Sequence, residues 1–392
     1  MKFLRTLSTS RLLIILATIA LLAGGGAAIA VAAARANGPT PDPKPLAQAM
    51  RDALVAPEPE GITARIKFTN TLFPSGSLIG KVGSALMSGA SGRLWMTNDG
   101  RGRLELQSEA GDVQIVWHGT TVTVYDASSN TVYRARPPDR SESWANHDRG
   151  AAPSITRISD FLSKLTTRAS VSEAEPTDVA GRPAYRVTIA PKHDGGLLGS
   201  AQLAWDAVRG VPLRVAIYAP SSSSPVLELA VTDISYGPVA SSDVVVSPPP
   251  GAKTIDLGAF AGARPPEPAS QVSGLQAVEA AVGFRVAAPD SLVGLPRRDV
   301  RLVGGADSRA ALVVYGHDLG AILIVERKAH LAAPHSGGLL SSLPPVSLDG
   351  HTGHELATQL GTVIEWQRDG IAYVLAGSLP PAAAEAAARA LK

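Results

Sequence analysis

Hydrophobic and polar positions alternate with a period of two over much of the chain. Gly61–Thr69 sets Ile62, Ala64, Ile66 and Phe68 against Thr63, Arg65, Lys67 and Thr69. Gly92–Asn98 carries Leu94 and Met96, Arg101–Ser108 carries Leu104 and Leu106, and Asp112–His118 carries Val113, Ile115 and Trp117. Thr120–Tyr125 and Asn130–Arg136 add two shorter runs. Such alternation predicts half-buried strands with one apolar face. The tight turns Asn98-Asp99-Gly100 and Ala110-Gly111-Asp112 between them predict an antiparallel meander.

Period 3.6 replaces period two in a few places. Leu46–Leu54, with Leu46, Met50 and Leu54, predicts a short amphipathic helix. Ser154–Arg168 predicts another, capped by Ser154 and carrying Ile155, Ile158, Phe161, Leu162 and Leu165 on one face. Strands return at Asp178–Pro191, Ala201–Asp206, Pro212–Tyr218 and Val226–Tyr236. Beyond the Pro-rich stretch Ser247–Ser273, a helix is expected at Leu275–Val282. Strands follow at Phe284–Ala287, Val300–Val303, Ala310–Tyr315, Ala321–Glu326, Gly361–Arg368 and Ile371–Leu375, and Pro381–Leu391 closes the chain as a helix.

These patterns divide the chain into an N-terminal segment (1–36), a spacer (37–45), a larger α+β domain (46–246), a linker (247–273) and a smaller α+β domain (274–392). Leu12–Ala34 holds no charge and follows Lys2, Arg5 and Arg11. About 20 apolar residues suffice to cross a bilayer, and basic flanks favour the cytoplasmic side. The run therefore reads as a single-pass anchor, through residues 12–34, in the cytoplasmic membrane. The alternative is a signal peptide with core Leu12–Leu22, cleaved after Ala36. Either way, the rest of the chain is expected on the extracytoplasmic side, tethered or secreted.

Composition narrows the chemistry. Lys plus Arg number 36 against 34 Asp plus Glu, a net charge of +2, which argues against nucleic-acid binding. There is no cysteine, so disulfides, thiolate metal sites and a cysteine nucleophile are excluded. Neither a phosphate-binding glycine loop, a paired-histidine zinc motif nor a Gly-x-Ser-x-Gly elbow is present. His351-Thr352-Gly353-His354-Glu355 matches no helical zinc motif and reads as a solvated loop, and His193-Asp194, just before Gly195-Gly196, reads as a hairpin tip. The acidic group Glu173, Glu175 and Asp178 reads as a solvated turn. No catalytic residue, metal site or cofactor is expected, and the chain reads as a non-enzyme.

One segment stands apart. Thr71–Ala90 joins two strands but is too long for a hairpin loop, and Leu78, Val82 and Leu86 recur near helical spacing. It either packs on the sheet or forms a lid over an apolar cavity. For the wall of such a cavity the alternating sets offer Ile66, Phe68, Leu94, Met96, Leu104, Leu106, Ile115 and Trp117. Period two places them on one face; it leaves open whether that face is a filled core or a ligand-binding wall.

Particular strand-and-turn signatures resemble the bacterial LolA-like superfamily, which includes the outer-membrane lipoprotein carrier and the regulator of the envelope-stress sigma factor. They are Gly92-Arg93-Leu94-Trp95, Arg103-Leu104-Glu105-Leu106, Thr120–Asp126, Asn130–Tyr133, Val179–Tyr185, Leu203–Asp206 and Val211–Arg214. The likeness covers roughly residues 45–250. It implies an unclosed, curved antiparallel sheet, a half-barrel covered by helices, with a hydrophobic cavity for acyl chains. The implied partner is a lipid or lipidated protein. The added C-terminal domain, with Gly283–Val286 and Trp366–Tyr373, is similar to extracytoplasmic domains of anti-sigma-type envelope proteins. That similarity implies the alternative role: envelope-stress regulation through a membrane protein partner.

Overall fold

The computed structural model describes residues 38–72, 89–109, 111–119, 121–135, 154–192, 196–220, 222–245, 248–256, 272–305, 309–329 and 343–391. The expected anchor at 12–34, the lid positions Leu78, Val82 and Leu86, and His193-Asp194 lie outside them. No helix among the described residues is long and apolar enough to cross a membrane. The chain divides into two compact units, the first holding nearly all described residues up to 256 and the second those from 272 onward. The class is α+β, as expected.

The first unit opens with helix α1 (Leu46–Val55), followed by β1 (Gly61–Asn70), β2 (Ala90–Thr97), β3 (Gly102–Ser108), β4 (Gly111–His118), β5 (Thr121–Asp126) and β6 (Thr131–Ala135). Helix α2 (Ile155–Leu165) leads to β7 (Ala169–Val171), β8 (Glu175–Val179), β9 (Arg182–Pro191), β10 (Ser200–Asp206), β11 (Pro212–Tyr218), β12 (Leu227–Tyr236) and β13 (Lys253–Asp256). The thirteen strands form one sheet in the order β13-β6-β5-β4-β3-β2-β1-β12-β11-β10-β9-β7, with β8 also on β9. The order has two ends, so the half-barrel is open. All pairs are antiparallel except β13 with β6. Of that pair, β13 lies within the Pro-rich stretch 247–273 read as linker.

The central seam joins β1 to β12, strands far apart in sequence, from Ile62↔Tyr236 to Asn70↔Leu227. Bulges at Arg65/Ile66 and at Ala204/Trp205 break the register and add to the curl of the sheet. The short strands β7 and β8 were not expected. Glu175 and Asp178, read as a solvated turn, lie in β8, whose register with β9 runs from Glu175↔Arg186 to Val179↔Arg182. Arg186 holds Glu175 by an ion pair of 2.6 Å, so the carboxylate is compatible with an edge strand.

Helices α1 and α2 pack on the β9–β11 part of the sheet. Leu46, Ala49 and Leu162 join Tyr185, Val187, Leu203 and Trp205 in one apolar cluster. Ser154 caps α2 by accepting the Arg157 N–H at 3.3 Å.

The second unit contains α3 (Leu275–Val282), β14 (Ser291–Leu292), β15 (Leu295–Val303), β16 (Ala310–Tyr315), β17 (Ile322–Lys328), β18 (Pro345–Leu348), β19 (His351–Thr358), β20 (Gly361–Arg368), β21 (Ile371–Gly377) and α4 (Pro381–Ala390). The sheet order is β14-β15-β16-β17-β21-β20-β19-β18. Val278 and Val282 of α3 and Ala384, Ala387 and Ala388 of α4 share its core with Tyr315, Ile324, Ile364 and Leu375.

Two expectations fail in this unit. His351–Glu355 is not a loop but the start of β19: Gly353 pairs with Trp366, and a β-carbon there would press on Glu365 O and Leu348 Cδ1, each at 3.0 Å. Phe284–Ala287 is not a strand. The Val286 N–H donates to Glu279 Oε1 at 3.0 Å, and the Ala287 N–H donates to Glu326 Oε2 at 2.9 Å. With these donors committed to side chains, this stretch has no ladder to join. Glu326 itself is fully buried, and its Oε1 has no hydrogen-bond partner. Burial raises its carboxyl to about 7; the Ala287 N–H and the Arg368 charge oppose this.

Candidate functional site

The strand registers stack the alternating apolar residues into rows across one face of the first sheet. One row runs Ile234, Ala64, Leu94, Leu104, Ile115, Val124, Tyr133 from β12 to β6. The next runs Tyr236, Ile62, Met96, Gly102, Trp117, Val122. A third holds Val231, Ile66, Gly92, Leu106 and Val113 and ends at Asp126. Period two within strands and antiparallel register between them make this face continuous.

Burial is uneven across the face. Ile62, Ala64, Ile66, Leu106, Val113 and Ile234 are buried. Leu94, Met96, Leu104, Ile115, Trp117, Val122, Val124 and Tyr133 are only half-buried. Of these, Leu94, Met96, Leu104, Ile115 and Val124 join a cluster that contains no residue of α1 or α2. Helices α1 and α2 thus cover the β9–β11 end of the face; a 3-10 turn, Ser241–Val244, packs against β2 and β3.

Of the eight wall residues expected from sequence, Ile66, Phe68, Leu94, Met96, Leu104, Leu106 and Ile115 fall in one cluster. Trp117 sits in the adjoining row, its indole over Gly102. Ile66 and Leu106 form the packed base, and the other six are half-buried. Ile234, Tyr236, Val231 and Val124 share the face and were missed as wall residues. Their alternation was visible in Val226–Tyr236 and Thr120–Tyr125. The pairing of β1 with β12, which brings Ile234 and Tyr236 to the face, was not.

The opposite face of the same strands carries most of their charged residues, with Trp95, Val116 and the buried Val132 among them. Arg65, Arg93, Arg103 and Glu105 occupy it, Arg103 paired with Glu105 and lying 5.6 Å from the Trp95 ring centre. Polar groups near the apolar face are tied down. Asp126 accepts from Ser128 N at 2.9 Å, Ser128 Oγ at 2.7 Å and Ser129 Oγ at 2.8 Å. Asp206 accepts from Val208 N and Arg209 N at 2.8 Å and from the Tyr236 hydroxyl at 2.7 Å. Burial and the bond to Asp206 push the Tyr236 phenol upward. A separate open groove of about 320 Å³ lies between α1 and α2, with Leu46, Leu162 and Val171 on its apolar side and Ser159, Thr166 and Glu173 on its polar side. No group of three or more metal-ligating side chains occurs among the described residues.

Fold and site together define an α+β protein with an open half-barrel, one apolar face and a second sheet unit. Neither a family model nor a curated protein matches the chain. Among solved structures, it is similar to a Pseudomonas aeruginosa MucA/MucB complex at 15% identity, covering 88% of this chain and 95% of that one, with a TM-score of 0.38. A crystal structure of MucB gives 12% identity, coverage of 88% and 96%, and a TM-score of 0.35. An uncharacterized conserved protein from Thermus thermophilus gives 9% identity, coverage of 54% and 96%, and a TM-score of 0.31. These likenesses assign neither a ligand nor a partner to this chain.

Proposed function

We propose that the first unit is an extracytoplasmic binding module that holds the acyl chain of a lipid or lipidated protein against its apolar sheet face, without catalysis. The observation that carries this reading is the half-buried row Leu94, Leu104, Ile115, Val124, with Met96 and Trp117 beside it, outside the cluster that α1 and α2 join. Water against such a surface is unfavourable by roughly 25 cal/mol per Å² of apolar area. An acyl chain laid along the rows removes that contact at about 0.8 kcal/mol per buried CH₂. Leu78, Val82 and Leu86, from the connection between β1 and β2, are proposed to complete the enclosure. On the charge-free run Leu12–Ala34, the module is tethered to the cytoplasmic membrane, or secreted if the run is cleaved.

Displacement of a fluorescent fatty acid from the full-length chain tests the reading. Leu104→Asp and Ile115→Asp are expected to abolish binding while leaving the circular dichroism spectrum unchanged. Binding that survives both substitutions refutes it.

The second reading is envelope-stress regulation through a membrane protein partner. Another similar solved structure is that of MucB in complex with MucA(peri). The feature of this chain that favours the reading is its separate second unit. If the wild-type chain binds no acyl chain but captures a defined membrane partner, this reading replaces the first.

A further inference from the structure

Two arginines stand at the Tyr236 end of β12, where the apolar face stops, with no acidic partner among the described residues. Arg182 Cζ lies 5.1 Å from the Tyr236 ring centre, and Arg209 Cζ lies 5.6 Å from it. Arg182 donates one hydrogen bond, to the Ile234 carbonyl at 3.1 Å. Among the described residues, no carboxylate forms an ion pair with either guanidinium. Both are half-buried, so water solvates them incompletely. The nearby Asp206 already accepts two backbone N–H bonds and the Tyr236 hydroxyl. The carboxylate bonded to Tyr236 is thus already engaged by three donors.

Tyr236 connects this charge to the apolar wall. Its ring packs against the apolar cluster, and it shares a row with Ile62, Met96 and Trp117. Val179, Ala184, Val211 and Leu213, from strands and turns next to Arg182 and Arg209, belong to the same cluster. A hydrophobic surface thus runs into a pair of planar, multi-donor cations. Guanidiniums match carboxylate and phosphate geometry better than they match neutral heads.

Resting on the acyl-chain reading, we propose that Arg182 and Arg209 hold the anionic head, carboxylate or phosphate, of an amphiphile whose chain lies on the Met96–Leu104–Ile115 surface. Tyr236 is the positioning residue: its ring underlies both guanidiniums, and its hydroxyl is fixed by Asp206.

The test compares three competitors against a neutral fluorescent acyl probe bound to the full-length chain. Palmitate, hexadecanol and inorganic phosphate share, respectively, both features, the chain alone and the charge alone. Palmitate is expected to displace the probe at about tenfold lower concentration than hexadecanol, with the advantage shrinking in high salt. Arg209→Gln is expected to cut the advantage several-fold and the Arg182→Gln/Arg209→Gln pair to abolish it, with hexadecanol unaffected. Arg209 donates no side-chain hydrogen bond among the described residues, so Arg209→Gln alone serves if the double variant fails to fold. Equal competition by palmitate and hexadecanol overturns the arginine assignment and leaves the acyl-chain reading standing. Competition by inorganic phosphate at palmitate's concentration overturns it in favour of a free-anion site. Failure of the wild-type chain to bind the probe at all overturns the acyl-chain reading itself.

Discussion

The Trp117 indole fills the space that Gly102 leaves open: the two residues pair directly across β3 and β4, and a β-carbon on Gly102 would overlap Cζ2 and Cε2 of the ring. Gly102 is therefore the seat of the largest side chain on the half-buried part of the face. Gly102→Ala must rotate the indole out of that seat. The expected cost is about 1–2 kcal/mol, the usual range for overpacking that a side chain can relieve by moving. The near-ultraviolet circular dichroism of Trp117 should change, and the change should vanish in a Trp117→Phe background. A Gly102→Ala protein with an unaltered signal contradicts the packing described.

Leu104 tests whether the face is a wall or a filled core. It is half-buried in the middle of its row, between Leu94 and Ile115. Leu104→Asp should leave the unfolding free energy within about 1 kcal/mol of wild type, because the carboxylate can reach water. Leu106→Asp, on a side chain that is 2% exposed, should cost several kcal/mol by burying an unpaired charge. Urea denaturation distinguishes the pair. Equal, severe losses would show that Leu104 is core.

The polar cluster on β10–β12 is predicted to act as a unit. Arg214 donates to Glu228 Oε1 at 2.6 Å, to Gln202 Oε1 at 2.8 Å and to the Tyr218 hydroxyl at 2.7 Å. Glu228→Gln should destabilise by about 1–2 kcal/mol, because it weakens a half-buried charge-assisted bond. Combining it with Arg214→Met should cost less than the two changes added together. A double-mutant cycle measures this coupling, expected at about 1 kcal/mol. Strict additivity would mean that the contacts are independent.

Glu326 makes the second unit sensitive to pH. Its folded value of about 7 stands above an ordinary 4.5, so between these values the folded state holds a proton that the unfolded chain has released. Stability therefore falls as pH rises through that window and is lowest above pH 7. The displacement corresponds to about 3 kcal/mol. Glu326→Gln keeps an acceptor for the Ala287 N–H and removes the titration. The variant should unfold at nearly the same urea concentration at pH 5 and pH 8, followed by fluorescence of Trp366, which stacks on Tyr373 at 5.0 Å. A wild-type protein more stable at pH 8 than at pH 5 contradicts this sign.

Much of the fold was legible because the first sheet is mainly a meander. In β1 to β6, residue types alternate and turns such as Asn98-Asp99-Gly100 are local, so face and order follow from neighbours in sequence. What stayed hidden depends on distant partners. Pro176 and two acidic residues disguise β8, which exists because β9 lies beside it. Lys253–Asp256 looks like linker because β6, the strand it pairs with, is distant in sequence. His351–Glu355 looks like a loop because the tight packing of Gly353 against Glu365 O and Leu348 is invisible locally. Phe284–Ala287 carries the apolar pattern of a strand, but Glu279 and Glu326 take its donors. The candidate site was legible to the same extent: Leu94, Leu104 and Ile115 come from local alternation. Tyr236, Arg182 and Arg209 come together only through long-range pairing.

The central claim is that an acyl chain occupies the half-buried rows of the first sheet. Native mass spectrometry of the full-length chain made in a bacterial host, followed by solvent extraction, tests it most directly. A fatty acid or phospholipid bound near one-to-one is expected, and it should be absent from Leu104→Asp. A stable wild-type protein that carries no extractable lipid would contradict the claim.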